Sequence, residues 1–121
     1  MSNDTNKSKP TGATSAQEQA IVRMIAKKVL ECHDVIRLMG GIGETLSINI
    51  FGQGNEIPGI KLTRDKDHIT VNVHIVVRYG ANIPQVSYDI QNNVKTMIEK
   101  RTKLTVDAVN VGVEGVEKTR N

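Results

Sequence analysis

The chain reads as an α+β protein, a two-layer sandwich with two helices packed on one face of a mainly antiparallel sheet of about four strands. Three observations lead there. Isoleucine and valine number 27 of 121 residues, against five leucines and three aromatics, so the core is built from β-branched aliphatics, which favour sheet. Two stretches carry apolar residues at spacings of three and four, the helical period. One long stretch alternates: Ile69, Val71, Val73, Ile75 and Val77 share one phase, while Thr70, Asn72, His74, Val76 and Arg78 share the other.

Residues 1–14 hold no large apolar side chain after Met1 and are expected to be a disordered polar tail. A single domain then runs over 15–117, with a short polar tail at 118–121. Ser15-Ala-Gln-Glu18 has the form of a capping box, which places a helix start at Ser15. Ile21, Ile25, Val29 and Cys32, with Val22 and Met24 alongside, give that helix one apolar face over 16–32. His33 and Asp34 break it. Val35, Ile36, Leu38 and Met39 form a short apolar run, a strand or a packed connection, before the glycine turn at Gly40, Gly41 and Gly43. Leu46, Ile48 and Ile50 alternate with polar residues, predicting a strand over 45–51, followed by a loop over 52–59.

Ile60 and Leu62 open the next strand, which the charged turn 64–67 ends. That turn joins it as an antiparallel hairpin to the alternating strand 68–79. The odd-numbered face of this strand is apolar and its even face mixed, as expected of a sheet covered on one side only. Pro84 suits the first turn of the second helix, with Asn82 or Ile83 just ahead of it. Ile83, Val86, Ile90, Val94, Met97 and Ile98 form its apolar stripe, and Thr102 and Lys103 end it. The last strand covers about 104–113. Val106 and Ala108 lie in one phase and Val109, Val111 and Val113 in the other, a slip that predicts a β-bulge.

Composition narrows the function. No apolar run approaches the length of a membrane span, and three aromatics cannot furnish a stacking platform for single-stranded nucleic acid. Net charge is +3, and the dense basic cluster is Lys95, Lys100, Arg101 and Lys103. Its place at a helix C-terminus, where cations complement the dipole, is the plainer account; a phosphate or anionic-lipid patch is the sharper one. Cys32 is the only cysteine, so no internal disulfide forms, and no signal-peptide pattern opens the chain; a cytoplasmic protein is expected. His33, His68 and His74 lack metal-ligand spacing, and Asp65 and Asp67 sit in a solvated turn, so no catalytic residue, metal or cofactor is expected. Asn72, His74 and Arg78, on the mixed face, join the basic cluster as a candidate interaction surface.

The segment Val77-Arg78-Tyr79-Gly80-Ala81-Asn82-Ile83-Pro84, then Ile90-Gln91-Asn92-Asn93-Val94-Lys95, then Val109-Asn110-Val111-Gly112-Val113-Glu114-Gly115-Val116, resembles the signature of the alkaline shock protein family. These are the Gls-type envelope stress response proteins of Gram-positive bacteria. The resemblance spans about residues 20–117. Tyr79, Gly80 and Pro84 are its fold markers: a partly buried ring closing a strand, a sharp exit and a helix entry. The segment 33–39 and the loop 52–59 depart from the family pattern. The resemblance implies a non-enzymatic stress protein acting through protein–protein contacts and self-association, in some members attached to the inner face of the membrane by a small membrane-anchoring protein. The alternative is a small KH-like RNA-binding module, because Gly40-Gly41-Ile42-Gly43 resembles a Gly-x-x-Gly clamp. The absence of aromatic platforms and the mild charge disfavour nucleic acid.

Overall fold

In a computed structural model, which describes residues 16–39 and 57–118, the chain forms α1 (Ala16–Leu30), β1 (Val35–Leu38), β2 (Ile60–Asp65), β3 (His68–Arg78), α2 (Ile83–Arg101) and β4 (Thr105–Glu117). The expected N-cap Ser15, the glycine turn 40–43, the strand at 45–51 and most of the loop at 52–59 lie outside the described residues.

β3 is the axis of the sheet. β4 runs parallel to it along its whole length, from His68 opposite Thr105 to Arg78 opposite Glu117. β2 and β1 share its other edge, both antiparallel: β2 covers His68 to Val73 and β1 covers Ile75 to Val77. They meet end to end at His74, whose carbonyl accepts from the Met39 amide at 2.9 Å and whose amide donates to the Gly59 carbonyl at 2.8 Å. Two of the three pairings are therefore antiparallel. The third is parallel because α2 carries the chain back across the sheet between β3 and β4.

The alternation in β3 settles which face is covered. Ile69, Val71, Val73, Ile75 and Val77 are each at most 1% exposed. They pack under Ile21, Ile25 and Val29 of α1 and Val86, Ile90, Val94 and Ile98 of α2, in one continuous aliphatic core. Burying each such side chain contributes about 1.5–3 kcal/mol. Among the described residues, no buried side chain is polar or charged.

The ends of the elements follow from local chemistry. Asn82 caps α2, its Oδ1 accepting from the Gln85 amide at 3.1 Å, with Pro84 in the first turn. Thr102 ends the helix, its hydroxyl donating to the Ile98 carbonyl at 2.8 Å. Gly80 has φ +93, the exit that glycine takes without strain. The β2–β3 turn is tighter than the charged run suggests. The strand continues to Asp65, and the reversal is made by Lys66, at φ +61, with Asp67.

β4 holds the predicted bulge, and a second one. Register slips at Asp107, between Val106 and Ala108, and again at Glu114, between Val113 and Gly115. The strand then continues to Glu117, past the expected end at 113. Tyr79 departs from expectation in another way. Its ring is 66% exposed, with the Lys118 ammonium 5.4 Å from the ring centroid. What fixes this residue is its backbone, whose amide donates to the Glu117 carbonyl at 2.8 Å.

Candidate interaction surface

The two bulges place an extra acid on β4 each time, and each acid meets a histidine of β3. Val106 and Val109 both belong to the core, so the two residues between them turn to the other face. There His68 Nδ1 lies 2.8 Å from Asp107 Oδ1. The same step at Glu114 brings its Oε2 to 2.6 Å from His74 Nδ1. Between these pairs Asn110 Nδ2 donates to Asn72 Oδ1 at 3.0 Å, and beyond them Arg37 Nη2 donates to Glu117 Oε2 at 2.6 Å. The face away from the helices thus carries a ladder of polar pairs across β1, β3 and β4. Gly112 is part of its construction, because a Cβ there would stand 3.0 Å from His74 Nδ1 and 3.2 Å from Glu114 Oε2.

The residues singled out from sequence fall into two separate places. Asn72, His74 and Arg78 share the face of β3 opposite the helices, as expected from their phase. Asn72 and His74 belong to the ladder. Arg78 is turned to the α1–β1 connection, where its amide donates to the Asp34 carbonyl at 2.8 Å and its Nη2 to the His33 carbonyl at 3.0 Å. Lys95, Lys100, Arg101 and Lys103 lie along and beyond the C-terminal half of α2. Lys95 is distinct from the other three: its Nζ donates to Glu99 Oε2 at 3.1 Å and to the Val106 carbonyl at 3.3 Å. Lys100, Arg101 and Lys103 close the helix end.

Sequence reasoning passed over Asp107, Asn110, Glu114 and Glu117. The phase slip in β4 was the available signal, because an inserted residue in a strand re-aims a side chain. Asp107 has a consequence for its partner. Its hydrogen bond and charge hold the His68 imidazole above the ordinary histidine range. A raised folded-state value means that the pairing favours the fold fully below the unfolded histidine pKa and is lost as pH rises through the folded one. An NMR titration is expected to show His68 with a midpoint above that of a free histidine. Asp107→Asn should return it toward the free value, and an unchanged midpoint would refute the pairing.

A groove of about 440 Å³ lies between the end of α1 and the start of α2, floored by Val29, Val86, Ile90 and Val94 with Cys32 and Asp89 at its sides. Cys32 is free and half-buried against the core, and His33 is exposed. Among the described residues, no group of three or more His, Cys, Asp or Glu side chains could hold a metal ion, and no helix is long and apolar enough to cross a membrane.

Comparison with known proteins agrees with the motifs on the β3–α2 junction and β4. The chain is 28% identical to the uncharacterized protein YqhY of Bacillus subtilis over 97 residues, covering 80% of this chain and 72% of that protein. It is 24% identical to the uncharacterized protein YloU of the same organism over 114 residues, covering 89% and 91%. The uncharacterized protein Spy1535 of Streptococcus pyogenes is 34% identical over 64 residues, half of each chain. No solved structure matches at a significant level. Residues 6–118 match the model of the alkaline shock protein 23 family, described by its cell envelope-related function, and the chain belongs to that family.

Proposed function

We propose that this protein is a non-enzymatic component of the Gram-positive envelope stress response that works through protein–protein contacts and self-association. The family's cell envelope-related function supports the setting. The observation that carries the reading is the polar face of the sheet. Among the described residues no helix packs on it, and its paired side chains, such as His74 with Glu114 at 42% and 34% side-chain exposure, stand in reach of a partner. A surface of fixed, mutually satisfied charges recognises a partner by complementarity without a reactive group.

Attachment at the inner face of the membrane through a small membrane-anchored protein fits the absence of a membrane-crossing helix among the described residues. Lys100, Arg101 and Lys103 would then lie on a face suited to an acidic partner. Sedimentation across a wide concentration range tests the self-association. A rising average mass is expected, and a strict monomer at the highest concentration would overturn it. Co-purification from native cells is expected to yield a small membrane protein, and its absence would remove the tethering.

A further inference from the structure

We infer that the C-terminal half of β4 is the self-association site, pairing antiparallel about a two-fold axis with the same strand of a second copy. The inference rests on the self-association proposed above and names its surface. Among the described residues β4 is an edge strand, and edges expose rows of unpaired amides and carbonyls. In its first half α2 covers them. The Val106 amide donates to Glu99 Oε2 at 2.8 Å, the Val106 carbonyl accepts from Lys95, and the Val109 carbonyl accepts from Gln91 Nε2 at 3.1 Å. The Val106 amide and the Lys95 ammonium hold Glu99 below the usual carboxylate range.

The cover stops at Val109. By strand alternation Val111 and Val113 turn the same backbone groups outward, and among the described residues nothing hydrogen-bonds them there. One helical turn before Gln91, on the same stripe of α2, stands Tyr88, 61% exposed. Val116 at the strand's end is 49% exposed. An amphipathic tyrosine and an exposed valine flanking an edge that no described residue pairs have the composition of an interface.

The sequence of that edge says which strand it takes. Residues 110–117 read Asn-Val-Gly-Val-Glu-Gly-Val-Glu, and the order of small, apolar and polar residues nearly repeats when reversed. Antiparallel pairing about the midpoint sets Val111 against Val116, Gly112 against Gly115 and Asn110 against Glu117. The bulge at Glu114 makes the backbone agree. The Glu117 carbonyl points inward, to the Tyr79 amide, so Val116 turns outward, as Val111 does on the other side of the bulge. Outward residues therefore meet outward residues, as a ladder requires. The Glu114 carboxylate is drawn off the edge by His74, which keeps two like charges from facing each other at the axis. The product is one continuous sheet through two copies, an isologous contact.

Val111→Cys and Val116→Cys, each in the full chain with Cys32→Ser, test the register. Opposed Cα atoms in such a ladder lie about 5.5 Å apart, within disulfide reach. Residue 111 of one copy lies roughly 17 Å along the strand from residue 111 of the other. Mixing the two variants under mild oxidation is expected to yield at least about fivefold more covalent dimer than either alone. Equal yields, or none from a protein that still associates, would overturn the pairing and leave self-association standing. A wild-type chain that stays monomeric would overturn both. Val111→Pro removes only an outward amide, which an edge strand tolerates. It should abolish association with the circular dichroism spectrum unchanged. Val116→Lys, at an exposed position, gives the same readout should the proline variant fail to fold, and association that survives it refutes the site.

Discussion

Truncating Ile75 to alanine is expected to lower stability by about 4 kcal/mol, near the upper end for a buried aliphatic. Ile75 is 0% exposed and sits in mid-β3, with Leu38 of β1 opposite it on one side and Val113 of β4 on the other. Its side chain belongs to the cluster that both helices close. Leu38 and the β-branched Val113 are held on a hydrogen-bonded sheet, so they cannot move inward to fill the space, and the cavity persists. A domain of this size holds about 5–15 kcal/mol in all, so the variant spends a large share of it. Its melting midpoint should fall by roughly 20 °C. Val116→Ala, at a half-exposed position of the same sheet, should cost less than about 0.5 kcal/mol. Denaturant unfolding checks both. A loss below about 1.5 kcal/mol for Ile75→Ala would mean that the helices do not close over this face.

The strict alternation of β3 is what made the fold legible. Five apolar residues in one phase require a cover, and the two apolar helical stripes are the only candidates long enough to supply it. Helix limits came within two residues because their signals are chemical: Asn82 and Pro84 start α2, and Thr102 ends it. Strand order was not legible, since pairing direction depends on the path of α2 and on no property of β4 itself. Gly115, just past the expected end at 113, made β4 look shorter than it is. Glycine is a poor strand former, but Gly112 leaves room for the His74–Glu114 pair, and Gly115 follows the bulge residue.

The candidate surface was half legible. Phase alone put Asn72, His74 and Arg78 on the face away from the helices. It could not supply their partners, because residues 38 to 40 positions apart in sequence are joined only by the register of a parallel strand. The slip between Ala108 and Val109 signalled that a bulge exists. Only the pairing with β3 shows that the inserted residues are acids and that each one meets a histidine. Tyr79 was misplaced for the opposite reason. An aromatic at the end of an apolar strand suggests burial, but β3 ends at Arg78 and among the described residues no second layer covers Tyr79.

Gly59→Ala is expected to cost about 3 kcal/mol, combining backbone strain with a steric clash. Gly59 has φ +96, a conformation that residues with a Cβ rarely adopt. Its position allows no relief. A Cβ there would lie 2.9 Å from the Met39 amide nitrogen, 3.0 Å from Leu38 Cβ and 3.1 Å from the His74 carbonyl oxygen. Two of those three atoms are backbone, and they form the point where β1 and β2 meet on β3. The same carbonyl and amide of His74 hold both strand ends, through Met39 and Gly59. An added methyl group must therefore push apart the junction that keeps two short strands aligned on one edge. Gly80→Ala is the matched comparison. Its φ is nearly the same, +93, but nothing lies within 4 Å of the added Cβ. It should cost about 1 kcal/mol, from strain alone. The difference between the two variants isolates the clash. In hydrogen exchange, Gly59→Ala should speed exchange of the His74 and Met39 amides well beyond the rest of the sheet. Equal losses for the two variants would show that the β1–β2 junction gives way freely and does not brace β3.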